Sequence, residues 1–173
     1  MTTEPEKLQE ARDLFIEQWG AMGSLWGVTR TMAQTHAALL AAEEPVSTDD
    51  LMHELGISRG NANQTLRQLV EWGLVRSVRV RGDRKEYFVA EKKVWKIFCI
   101  IARERKRREI DPALAVLREC AARTNGLRNR NAKGFHKLVS QLADFLSTAN
   151  NILERAAARE ESTVIPALLK LFG

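Results

Sequence analysis

Asn61, Asn63, Gln64 and Arg67 lie close together in the chain, and their side chains are those that read base edges in duplex DNA. A carboxamide can donate and accept at adenine, and a guanidinium matches the two acceptors of guanine. On a helical wheel these residues share an arc with Gly60 and Gln68. Ala62, Leu66, Leu69 and Val70 occupy the other side, which must face a core. Gly60 removes a side chain near the helix start, where backbone can approach a groove. Ser58 stands just before that helix as its cap, and the free N–H groups there can hold a phosphate. Downstream, Arg76, Arg79, Arg81, Arg84 and Lys85 stand against one acid, Asp83. Such a basic hairpin can reach phosphates or enter the minor groove. Gly82 permits the tight turn at its tip, and Asp83 is expected to cap that turn or to pair with Arg84. The candidate DNA-binding set is Ser58, Arg59, Gly60, Asn61, Asn63, Gln64, Arg67, Arg79, Arg81, Gly82, Arg84 and Lys85.

These residues need a frame. Ser47-Thr48-Asp49-Asp50 opens a helix: Ser47 caps it, and the two acids sit at the positive end of its dipole. Leu55-Gly-Ile-Ser58 is the turn, and a second helix runs from Arg59 to Trp72, ending at Gly73. Val75 to Val80 and Glu86 to Ala90 read as paired strands. A helix-turn-helix with a basic wing is a device for reading duplex DNA.

The remaining pattern is helical. Leu8, Ala11, Leu14, Phe15 and Trp19 mark an amphipathic helix from Glu6 to about Gly20, after which Gly20, Gly23 and Gly27 are expected to loosen the chain. A helix over about 28–42 should bury Val28, Met32, Thr35, Leu39 and Leu40. Val94, Trp95, Phe98, Ile101 and Ala102 form a further stripe. Asp111-Pro112 reads as a fresh helix start. A long helix over about 133–159 carries Phe135, Leu138, Val139, Leu142, Phe145, Leu146, Ala149, Ile152 and Leu153, and a short one follows at Val164 to Phe172. One winged helix has too little surface to cover so much apolar face, so the expectation is a homodimer. The expected architecture is mainly α with a small β-hairpin. Residues 1–27 form a dimerising N-terminal helix, 28–90 a winged helix-turn-helix, and 91–173 a helical dimerisation region.

Composition narrows the classes. The chain has 173 residues, a net charge of +5 and a pI near 9.5, a balance that suits a polyanionic partner. Arg103-Glu-Arg-Lys-Arg-Arg108 is a second basic cluster, open between a solvated face, DNA flanking a site, and a partner's carboxylates. Cys99 and Cys120 form no CxxC pair and read as reduced thiols. The N-terminus has no apolar run of signal length and no stretch would span a membrane, so a cytoplasmic protein is expected. His36, His53 and His136 lack ligand spacing, and neither a metal site nor a cofactor is expected. No nucleophile set, paired-carboxylate signature or phosphate-binding loop appears, so no enzyme is expected either; Gly20-x-x-Gly23 follows no strand. Trp19, Trp26 and Trp95 could converge as an aromatic cage for a cationic ligand, or simply fill a core.

Leu55-Gly-Ile-Ser-Arg-Gly-Asn61, Glu71-Trp-Gly-Leu-Val-Arg76, Gly82-Asp-Arg-Lys-Glu-Tyr-Phe88 and Val94-Trp-Lys96 resemble the GbsR branch of the MarR-type winged-helix regulators. Phe15-Ile-Glu-Gln-Trp-Gly20 is similar to that branch too, so the resemblance spans about residues 14–97. It implies a homodimeric transcription regulator, usually a repressor, on a pseudo-palindromic operator. Some members control glycine-betaine synthesis or solute uptake and sense choline-like ligands, which makes such an effector an expectation near the three tryptophans. The alternative is a winged-helix interaction module without DNA binding.

Overall fold

The computed structural model describes residues 3–25 and 27–157. The chain forms two compact units, residues 1–93 and 94–173.

In the first unit, α1 (Glu4–Leu25) packs along α2 (Arg30–Ala41). α1 runs straight through Gly20 and Gly23, which therefore do not loosen it. Both glycines are buried because α2 passes too close for a side chain. A Cβ on Gly23 would lie 2.3 Å from the Ala33 Cβ, and one on Gly20 would lie 2.5 Å from the Gln34 Cγ. Gln34 can swing away; Ala33, set on a buried helix, cannot. Gly23→Ala should therefore destabilise the first unit by roughly 1–3 kcal/mol through overpacking, less the helix-propensity gain, whereas Gly20→Ala stays near neutral. Thermal melts of the two variants check the contrast.

α2 is the centre of this unit. Met32, Ala33, Thr35, His36, Ala37, Ala38 and Leu39 are all buried, a nearly continuous run that leaves little polar face. Thr29 caps its start, accepting from the Met32 N–H at 3.2 Å. Its last carbonyls are held by cations from far along the chain. Lys92 Nζ donates to Leu40 O at 2.5 Å and Ala42 O at 2.6 Å, and an Arg12 guanidinium nitrogen donates to Ala41 O at 3.1 Å. Positive charge at the negative end of the helix dipole is favourable.

His36 lies in this core at 3% exposure. Among the described residues, its Nε2 and the neighbouring Thr35 Oγ1 find no hydrogen-bond partner. Desolvation pushes the imidazole down to about 4 from an ordinary value of 6.5. Protonation is thus easier in the unfolded chain than in the folded one. The stability this group contributes should be complete above about pH 6.5 and decline as pH falls toward 4. Melts across that window should show the decline in the wild type and a shallower one in His36→Gln.

β1 (Val46–Ser47), α3 (Thr48–Leu55), α4 (Arg59–Trp72), β2 (Val75–Arg79) and β3 (Glu86–Ala90) complete the winged helix. The strands form one antiparallel sheet in the order β1-β3-β2, with Val75 opposite Ala90 and Arg79 opposite Glu86. Sequence reading gave the hairpin but not β1, two residues whose second, Ser47, also serves as the helix cap. Leu51, Ala62, Leu66, Leu69, Leu74 and Phe88 form the core beneath α2 and the sheet. Val70, expected there, is 39% exposed, and Thr65 is buried instead.

The second unit begins with α5 (Val94–Arg105) and continues through a π-helical turn (Lys106–Ile110) into α6 (Asp111–Thr124). Asp111-Pro112 was expected to start a new helix after a break. Instead the axis continues, and the Asp111 N–H bonds back to Lys106 O. Proline lacks an N–H, and its ring crowds the carbonyl four residues earlier. A wider turn accommodates both defects. The basic cluster lies in this stretch, and its cations meet nearby carboxylates. Arg107 meets Glu104 at 2.7 Å, Arg105 meets Glu109 at 3.0 Å, and Lys106 meets Asp111 at 3.1 Å and Glu154 at 3.0 Å.

α7 (Arg130–Ala157) is the longest element and carries two apolar stripes. Val139 and Ala143 are buried within the unit, whereas Phe135, Leu138, Leu142, Phe145 and Ile152 are exposed. Residues 158–159 of the predicted helix and the short helix at Val164 to Phe172 lie outside the described residues. Among those described, no helix is long and apolar enough to cross a membrane.

Candidate nucleic-acid interface

Local sequence sets the helix pair. Ser47 and Asp50 form a reciprocal capping box at α3: Ser47 N–H donates to Asp50 Oδ2 at 3.0 Å, and Asp50 N–H donates to Ser47 Oγ at 3.3 Å. Gly56 ends α3 at φ 62°, a left-handed conformation costly for any side chain that carries a Cβ. Ser58 then caps α4, accepting from the Asn61 N–H at 3.3 Å, and Gly73 closes it at φ 81°.

α4 buries Ala62, Thr65, Leu66 and Leu69. Ser58, Arg59, Gly60, Asn61, Gln64, Arg67 and Gln68 are exposed, and Asn63 is half-buried. The Thr65 hydroxyl lies 3.4 Å from Asn61 Oδ1, and Arg67 Nε donates to Asn63 O at 3.3 Å, so its side chain lies back along the helix. A Cβ at Gly60 would meet no protein atom within 4 Å, so packing does not demand glycine there. Between α4 and the hairpin runs a groove of about 420 Å³, lined by Asn63, Arg67, Val70, Ser77 and Glu86 among others.

The wing presents Arg76, Arg79, Arg81, Arg84 and Lys85 as exposed side chains. Gly82 takes φ 89° at its tip. Asp83 caps the turn, as one of its two expected roles: Oδ1 accepts from the Lys85 N–H at 2.9 Å, and Oδ2 accepts from the Tyr87 hydroxyl at 2.7 Å. These bonds hold its carboxyl below the usual carboxylate range. Across the strands, Ser77 Oγ donates to Glu86 Oε1 at 2.6 Å. Among the described residues, no ion pair engages Arg79, Arg81 or Arg84.

Asp49 was read from the sequence only as a dipole partner for α3. It also joins α4 to the wing, with Oδ1 at 2.6 Å from an Arg59 guanidinium nitrogen and Oδ2 at 3.3 Å from Lys85 Nζ. Its pKa is lowered, first by the hydrogen bond from Arg59 and then by that from Lys85. Neither partner is a helical neighbour, so no spacing signal could reveal the arrangement.

Each described tryptophan of the proposed cage lies against aromatic neighbours of its own unit. Trp19 lies in the first unit with its ring centroid 5.4 Å from Phe15 and 6.3 Å from His36. Trp95 stacks on Phe98 at 5.3 Å in the second unit, and Trp26 lies outside the described residues. No group of three or more His, Cys, Asp or Glu residues among those described could hold a metal ion.

Residues 26–86, the segment holding α2 to the wing, match the model of the MarR family. Over 115 residues the chain is 27% identical to the HTH-type transcriptional repressor GbsR of Bacillus subtilis (strain 168), an overlap covering 66% of this chain and 63% of that protein. It thus spans somewhat less than two thirds of that relative's length. A solved structure described as a transcriptional regulator is 26% identical, with a TM-score of 0.54, covering 86% of this chain and 99% of the other. The capped helix pair, three-stranded sheet and basic hairpin follow one another here within and just beyond the segment that matches the MarR family, and the winged helix-turn-helix of this chain is similar to that family's.

Proposed function

We propose that this chain is a cytoplasmic, sequence-specific DNA-binding transcription regulator that acts as a homodimer, and that it represses. One observation carries the reading: the solvent-facing side of α4 is rich in amides and guanidinium groups and stands beside a hairpin that exposes five cations. α4 enters the major groove, with Asn61, Asn63, Gln64 and Arg67 facing base edges. Ser58, Arg59 and the open N–H groups of α4 meet phosphate, and Arg79, Arg81, Arg84 and Lys85 reach the backbone or the adjoining minor groove. The exposed stripe of α7 pairs with its copy, giving two recognition helices on one duplex. Repression is supported by the likeness to a protein named a transcriptional repressor. A small cationic or apolar effector near Trp19 or Trp95, choline-like by resemblance, completes the proposal and would act only through unequal affinity for two spacings of the recognition helices.

Titration with duplex DNA over a range of salt tests the reading. Affinity should fall steeply and log-linearly with salt. In Arg81→Ala and Arg84→Ala the slope should shrink by roughly one unit per lost phosphate contact, on cognate and random duplexes alike. A flat salt response of the wild type would refute DNA binding, and an unchanged slope in both variants would take the wing out of the interface.

A further inference from the structure

The wing and the start of α4 are both basic, yet two of their cations are engaged within the molecule. Arg59 is the first residue of α4, and Lys85 closes the wing turn. One carboxylate lies between them and takes one cation on each oxygen. We infer that Asp49 is a built-in counter-ion that competes with DNA phosphates for Arg59 and Lys85 and so limits sequence-independent attachment. The inference rests on the DNA-binding reading above.

The magnitudes favour an electrostatic role over a stabilising one. All three side chains are substantially exposed, between 43% and 63%. Ion pairs so exposed contribute little to folding, because water and salt screen them. Their effect on a polyanion differs in kind. Binding to random duplex is driven by release of counter-ions from the phosphates that protein cations neutralise. Two cations sharing one anion present a net charge of one rather than two, so the cluster neutralises one phosphate fewer. The geometry adds direction. Lys85 is anchored at both ends, its N–H on Asp83 and its ammonium on Asp49, so the end of the wing turn is tied toward α3. Arg79, Arg81 and Arg84 have no such tie among the described residues. The cations of the wing and of the start of α4 therefore divide between two for which Asp49 competes and those open to phosphate without competition. A regulator gains from this division. Random sites vastly outnumber operators, and lowering the sequence-independent term leaves more of the protein for base readout.

The test compares wild type, Asp49→Asn, Arg59→Gln/Lys85→Gln and the triple variant on a short random duplex over a salt series. Asp49→Asn should steepen the salt slope by about one unit, which corresponds to roughly eightfold tighter random binding at about 0.1 M salt. Its melting temperature should stay close to wild type. In the Arg59→Gln/Lys85→Gln background, the same Asp49→Asn change should leave the slope almost unaltered. An unchanged slope in the single variant overturns the inference. So does an equal steepening in both backgrounds, which would mean that Asp49 acts only as one unit of net charge. If the wild type itself shows no salt-dependent binding, the DNA-binding reading falls and the inference falls with it. If the wild type binds but Asp49→Asn does not alter the slope, the inference alone fails.

Discussion

Phe145→Asp is expected to convert the protein to a monomer and to weaken its binding to a two-half-site operator by roughly two to four orders of magnitude. Phe145 is 69% exposed on a helix whose other face is already committed to its own unit. Phe135, Leu138, Leu142 and Ile152 share that exposed stripe at spacings of three, four and seven residues, the pattern of a helix seam. A contiguous exposed apolar face of this kind marks an interface. An aspartate at its middle would have to be desolvated in the dimer, a cost of several kcal/mol for an unpaired charge. In the monomer it stays hydrated. The large fall in DNA affinity follows from linkage and needs no change at α4: each half-site contact is weak alone, and the dimer makes the second one intramolecular. Sedimentation at micromolar concentration reads the first effect and operator titration the second. A dimeric Phe145→Asp protein would place the interface elsewhere.

The paired change Asn63→Ala/Arg67→Ala carries the second large effect. Each lost base contact typically removes about 1–3 kcal/mol of discrimination, so the pair should lower operator affinity by roughly one and a half to four orders of magnitude while random-duplex affinity falls much less. Stability should hardly move, because Arg67 is exposed and Asn63 only half-buried. Arg67 Nε donates to the Asn63 carbonyl on the same helix, a contact that ties α4 to no other element. Equal losses on operator and random DNA would make both residues phosphate contacts.

Local rules made the helix-turn-helix legible. Ser47, Gly56, Ser58 and Gly73 each signal a helix end by their own conformational chemistry, and each end lies there. The polar arc of α4 was equally readable, since Ala62, Leu66 and Leu69 fix which side is buried. What escaped depends on distant partners. Gly20 and Gly23 suggested a loose segment because glycine is a poor helix former; only the approach of Ala33 and Gln34 shows why they are glycine. Asp111-Pro112 carries a start signal, but the chain absorbed the proline in a π turn. The wheel also placed Val70 in the core, but it lines the groove beside the hairpin at 39% exposure while Thr65 is buried. Asp49 and Lys92 act across the fold, and neither has a sequence pattern that announces it.

Selection of bound sites from a pool of random duplexes tests the central claim most directly, run in parallel with wild type and Arg67→Ala. If α4 reads bases from a dimer, the wild type should enrich a pseudo-palindrome whose half-sites lie about one helical turn, roughly 10 base pairs, apart. Arg67→Ala should enrich the same frame with preference relaxed at one symmetric position in each half-site. Enrichment of no sequence by the wild type, or an identical site from the variant, would contradict it.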